Sequence, residues 1–199
     1  MRTLYHLIFS FGRLLELTEL DILKRPDNGY FYPHRNITRA EFTAILARLS
    51  EDELNIEDNG QVFTDVNASH WYAPYAVWAK QTGIVYGVNG QFLGDNSITR
   101  QEAVVMISRY INIYKLEYPD TVDPIKFADE NEIADWALEA VYKCSQAGLI
   151  CGYDGRNFAP LSLITRGESA HVMRKLLAPD IFNWFNPEDY LIHGVSLWQ

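Results

Sequence analysis

Cysteine is scarce: the 199 residues contain two, Cys144 and Cys151. They lack CxxC spacing and neighbouring histidines, so they form no metal motif, and spacing alone does not pair them. Both read as small core residues. No apolar run approaches the roughly 18 residues needed to span a bilayer. The opening MRTLYHLIFSFGRLLEL has the outline of a secretion leader, but His6 and Arg13 interrupt it and no small-residue cleavage site follows. It reads as part of the fold. Basic residues are in deficit, 17 Lys and Arg against 26 Asp and Glu, a net charge of −9. Wholesale nucleic-acid binding needs a basic surface and is excluded. An anionic partner would have to be held by local cationic pockets against the global field. Catalytic signatures are missing too: no GxSxG, HExxH, P-loop or paired zinc spacing occurs. His6, His34, His70, His171 and His193 are scattered. NIEDNG at 55–60 fails as a calcium loop, because its twelfth position would be Val66. No enzymatic activity, metal or cofactor is expected.

What the chain does have is repetition. ITRAEF at 37–42 returns as ITRQEA at 98–103 and ITRGES at 164–169. A Phe (Phe31, Phe92, Phe158) stands six residues before each Ile. HWYAPYAVWAKQTGIVYG and DWALEAVYKCSQAGLICG match along their length, with Trp71 and Trp136 each 12 residues before a Gly. Both follow a Phe-x-Asp head, FTDVNASHW and FADENEIADW. Copy 1 keeps the register with a worn head: Phe9 stands for the Trp, Asp21 for the Gly, and no Phe-x-Asp is present. Each copy reads as helix, Gly turn, extended loop, helix. The first helix spans about 71–82 in copy 2 and ends at Gly83, suited to a left-handed cap. The second begins at ITR-x-E with one apolar face, as in Ile37, Phe42, Ile45, Leu46 and Leu49. One such pair cannot bury its apolar face alone, whereas three packed together can. The units run 1–50, 61–112 and 125–177, followed by an aromatic tail, 178–199.

Thr38/Glu41, Thr99/Glu102 and Thr165/Glu168 have capping-box spacing. The preceding Ile packs back as a staple. Capping does not explain Arg39, Arg100 and Arg166, since a cation in the first helical turn opposes the macrodipole. Two readings stand: an arginine that is solvated or paired to a nearby carboxylate, or an anion site joining a guanidinium fork to free helix N–H groups. Three anion sites would give multivalent attachment. On the second reading, Arg100→Ala or Arg166→Ala weakens binding and leaves the fold intact, while Thr99→Ala lowers stability first.

The heads, the GLICGYDGRNF loop and the three ITR-x-E helix starts together resemble three tandem S-layer homology (SLH) domains, over roughly residues 9–177. The resemblance implies an all-α fold, with three helix-loop-helix repeats in a pseudo-threefold arrangement around a central helical bundle. It implies a bacterial cell-surface location, although no convincing signal peptide is written here. It implies non-covalent anchoring to an anionic, pyruvylated secondary cell-wall polysaccharide, with other surface-layer proteins as further partners. The family's polymer-binding arginine maps onto Arg39, Arg100 and Arg166. Its loop residues map onto Asp27 and Gly29, Asn89 and Gly90, and Asp154 and Gly155, and its head Trp onto Trp71 and Trp136. Copy 1 departs by lacking the Trp and head, and copy 2 by a one-residue deletion around Val88-Asn89-Gly90.

Trp71 and Trp136 could stack on sugar rings, but a Trp at a helix start is more often core. The tail carries Phe182, Trp184, Phe185, Tyr190 and Trp198. It is expected to pack on copy 3 or over the worn head of copy 1, or else to meet another polypeptide. A protein–protein assembly module with no working glycan site is the alternative function.

Overall fold

The computed structural model describes residues 31–54, 62–118, 126–152 and 155–177. The first helix of copy 1 and the aromatic tail lie outside them. The described residues form five α-helices, one short 3-10 turn and no extended sheet: α1 (Arg39–Ser50), α2 (Ala73–Thr82), α3 (Arg100–Tyr114), the turn Glu130–Glu132, α4 (Asp135–Gln146) and α5 (Arg166–Leu177). The all-α expectation holds.

The helix starts follow from the repeated motif. Thr38, Thr99 and Thr165 accept the N–H of Glu41, Glu102 and Glu168, and each glutamate accepts the threonine N–H in return, at 3.0, 2.9 and 2.8 Å. α2 has no side-chain cap and carries Pro at its first turn, where a missing N–H costs nothing. It ends at Gly83 with φ 82°, the left-handed cap read from the sequence. α1 and α3 end on left-handed Glu51 and Lys115, which no glycine announces.

The isoleucines before the motif helices lie at the centre, fully or nearly buried. Their backbones form a closed circuit: Ile98 N–H donates to Ile37 O (3.2 Å), Ile164 to Ile98 O (3.1 Å), and Ile37 to Ile164 O (3.1 Å). Copy 3 thus bonds back to copy 1. Around the centre α1 packs against α2 and α3 against α4, so each intimate helix pair joins the second helix of one copy to the first helix of the next. Phe42, Phe63, Phe92, Phe127 and Phe158 fill the core with Ile84, Ile107 and Leu149.

Candidate functional site

The three boundaries between copies follow one pattern. The first N–H groups of each motif helix donate to the next copy's loop. Arg39 and Ala40 N–H reach Asn96 and Gly94 O, both at 2.9 Å. Arg100 and Gln101 N–H reach Ser162 and Pro160 O (2.9 and 3.1 Å), and Arg166 and Gly167 N–H reach Arg35 and Pro33 O (both 2.9 Å). The third N–H of each helix goes to its threonine. The free helix N–H groups expected for an anion site are therefore already occupied, because a loop that must leave its own carbonyls buried at a boundary satisfies both ends at once.

The arginine side chains face the same boundaries. Arg39 Nη2 bonds to the Glu102 carboxylate of copy 2. Its Nε is buried without a hydrogen-bond partner. Arg100 donates from Nε to Phe158 O (2.9 Å) and from Nη2 to Cys151 O (3.0 Å). Glu168 lies 3.9 Å from its Nη1, and the guanidinium carbon sits 5.1 Å over the Phe158 ring. Arg166 donates from Nε to Phe31 O (3.1 Å), meets Glu41 at 3.5 Å and lies 5.1 Å over the Phe31 ring. Each capping glutamate thus also pairs with the arginine of the preceding copy. Of the two readings of these arginines, pairing to a neighbouring carboxylate is what the structure displays.

Electrostatics reflect this double use. Burial pushes the Glu41 carboxyl upward, but bonds from Arg35 and the Thr38 N–H, with the charge of Arg166, outweigh it and leave the pKa below its ordinary value. For Glu102, burial is likewise outweighed, by Thr99 and Arg39. Burial lowers the pKa of Arg166, against the attraction of Glu41. A cleft beside Arg100 is lined by Leu149, Cys151, Glu168, His171 and Lys175. There burial, with Lys175 and Arg174 nearby, pushes His171 down to about 3.

Trp71 and Trp136 are not core residues: they are 55% and 58% exposed. The inward places fall to their neighbours Tyr72, at the N-cap of α2, and Ala137, which in α4 points about 100° away from Trp136. Trp71 stands edge-on to Tyr72 and Tyr75, at 5.5 and 6.2 Å. Asn89 and Gly90 form the tip of a two-residue turn, at φ 49° and 79°, between Val88 and Gln91, which exchange both backbone bonds at 2.9 Å. Gly155 has φ 79° with open space where a Cβ would stand. Asp27, Gly29 and Asp154 lie outside the described residues. Cys144 is buried as expected, but Cys151 is exposed, and both are free thiols.

Sequence reading noted the Phe-x-Asp head without giving its aspartate a task. Asp65 accepts the N–H groups of Phe92 and Leu93 (2.7 and 2.8 Å), and Asp129 those of Phe158 and Ala159 (2.8 and 2.7 Å). The recurrence of the head was the signal that could have found them. The left-handed residue after each loop Phe, Tyr32, Leu93 or Ala159 (φ 52°, 57° and 56°), had none, since no glycine marks it.

Comparison with known proteins agrees with the repeat pattern. A family model described as the S-layer homology domain matches residues 9–43, 62–104 and 126–170. An amylopullulanase of Thermoanaerobacterium thermosulfurigenes is 33% identical over 164 residues, 81% of this chain and 8% of that protein. A cellulosome-anchoring protein of Acetivibrio thermocellus is 30% identical over 158 residues, 78% of this chain and 35% of that protein. The S-layer protein sap of Bacillus anthracis is 26% identical over 159 residues, 80% of this chain and 19% of that protein. The chain thus spans a small part of the length of these relatives.

Proposed function

The chain belongs to the S-layer homology family, and on that premise we propose that it anchors a larger protein non-covalently to an anionic, pyruvylated polysaccharide of the bacterial cell wall. The observation that carries the reading is the triplicate arginine at three equivalent boundaries between copies, in a chain whose relatives include a cellulosome-anchoring protein and an S-layer protein. The guanidinium Nη groups that face the capping glutamates can exchange those partners for a carboxylate of the polymer. Three weak exchanges on one chain add by multivalency. Exposed Trp71 and Trp136 offer flat apolar faces to sugar rings. The loop tips at Asn89, Gly90 and Gly155 would rim the grooves. The task is binding and not catalysis: the amylopullulanase is matched over 8% of its length, and its enzymatic activity is not carried over to this chain.

One observation favours the second reading, an assembly module without a glycan site: every motif arginine already has a carboxylate or carbonyl partner. Co-sedimentation with isolated cell walls separates the two. The walls are used intact, with pyruvate removed, and with polymer stripped, across a salt series. Anchoring predicts binding to intact walls alone, weakening with salt. A folded chain that binds none of the three sinks the anchor and leaves assembly.

A further inference from the structure

We infer that Asp129 is a positioning residue for Arg100, acting across the boundary between copies through the loop that carries Phe158. The inference rests on the reading of Arg100 as a groove arginine only where polymer binding is concerned; the positioning itself does not need it.

The links are all present. Asp129 is buried, and its two carboxylate oxygens take the N–H groups of Phe158 and Ala159 at 2.8 and 2.7 Å. Ala159 sits at φ 56°, a left-handed backbone that costs a non-glycine residue free energy and persists only when its surroundings hold it. Two charge-assisted bonds to consecutive N–H groups are such a hold. The bend they fix presents the Phe158 carbonyl to Arg100 Nε at 2.9 Å and the Phe158 ring beneath its guanidinium. Phe158 is fully buried against Phe127 of the same head, so the loop has no other seat. A head in copy 3 therefore sets where an arginine of copy 2 points.

Copy 2 gives an internal comparison. Asp65 holds Phe92 and left-handed Leu93 in the same manner. There the chain of bonds stops at the loop, for Arg39 Nε has no acceptor and Arg39 is tied by Glu102 instead. The head aspartate thus does the same local work in both copies but reaches the arginine at one boundary.

The test is nitrogen-15 NMR of arginine Nε–H groups in the full chain, with no polymer present. In Asp129→Asn the Arg100 Nε–H resonance should move and its exchange with water should quicken roughly tenfold, the loss of about one hydrogen bond to a charged group. Arg166, whose loop carries Phe31, should not change. Adding Ala159→Gly, which accepts the left-handed bend without strain, should return the Arg100 signal. That background also keeps the test open if Asp129→Asn alone fails to fold. An unchanged Arg100 signal overturns the inference. So does an equal change at Arg100 and Arg166, or an Ala159→Gly rescue of folding without the Arg100 signal. Wall co-sedimentation forms a second arm: Asp129→Asn and Arg100→Lys should weaken binding without adding to each other. If wild type binds no wall, the anchor reading fails while the NMR outcome still decides the positioning.

Discussion

Arg100 ends in a buried guanidinium whose donors meet two backbone carbonyls, Phe158 O and Cys151 O. Those carbonyls lose their partner if the side chain is cut back, and an unmade buried bond costs more than a made one contributes. Arg100→Ala should therefore lower unfolding free energy by about 2–4 kcal/mol. Arg39→Ala should cost less, about 1.5 kcal/mol, since Arg39 holds one carboxylate and its Nε has no partner to lose. Thr99→Ala removes a helix cap and should cost about 0.5–2 kcal/mol. Urea denaturation of the three variants ranks them. Equal losses at Arg39 and Arg100 would refute the distinction. The sequence alone suggests that alanine at Arg100 spares the fold; these contacts add an expected loss of stability, because spacing reveals that the arginine recurs but not that its fork ends on main-chain oxygens.

At the scale of the element, α5 carries an acid-sensitive group. This is His171, which lines the cleft with Arg100 and Cys151 of other segments and shares its own helix with Glu168, Arg174 and Lys175. Its folded pKa lies near 3 against an ordinary 6.5, so the unfolded chain binds the extra proton first. The stability due to neutral His171 is whole above pH 6.5 and drains as pH falls from 6.5 towards 3. Glu41 and Glu102, lowered from 4.5, act in the same direction but only once pH falls below about 4.5. Thermal melts should thus show stability declining between pH 6.5 and 5 in the wild type. His171→Gln should flatten that interval and leave the decline below pH 4.5. A His171→Gln profile parallel to wild type from pH 7 to 5 would count against this account. The helices themselves were largely legible: the Thr-x-x-Glu boxes located three starts, and Gly83 one end. Their pairing was not. Apolar periodicity shows that α1 has a buried face but not that this face meets α2 of the next copy, because a period names no partner. Trp71 and Trp136 were misjudged as core for a related reason: composition favours burial of Trp, and only the angle of the helix start turns it outward.

For the whole molecule, the question is whether three copies behave as a row or as a ring. In a row, each repeat touches its neighbours, and damage at one end is felt locally. Here the last copy returns to the first through Ile37 N–H to Ile164 O, Gly167 N–H to Pro33 O, and Arg166 to Glu41, groups more than a hundred residues apart in sequence. Such long closures cost loop entropy that the ring bonds repay only when all are made, so the circuit should open as one unit. Native-state hydrogen exchange can read this directly at the Ile37, Ile98 and Ile164 amides. All three should exchange through a single opening of the same free energy. Glu41→Ala weakens the closing boundary by removing a carboxylate that faces Arg166 and caps α1. It should lower protection at all three amides by the same amount, about 1–3 kcal/mol. Ile98 is the discriminating residue, because its N–H bonds to Ile37 O and its carbonyl to Ile164, away from the weakened boundary. If Ile98 keeps its wild-type protection while Ile37 loses its own, the copies form a row, and the bonds seen between the ends are a contact rather than a closure.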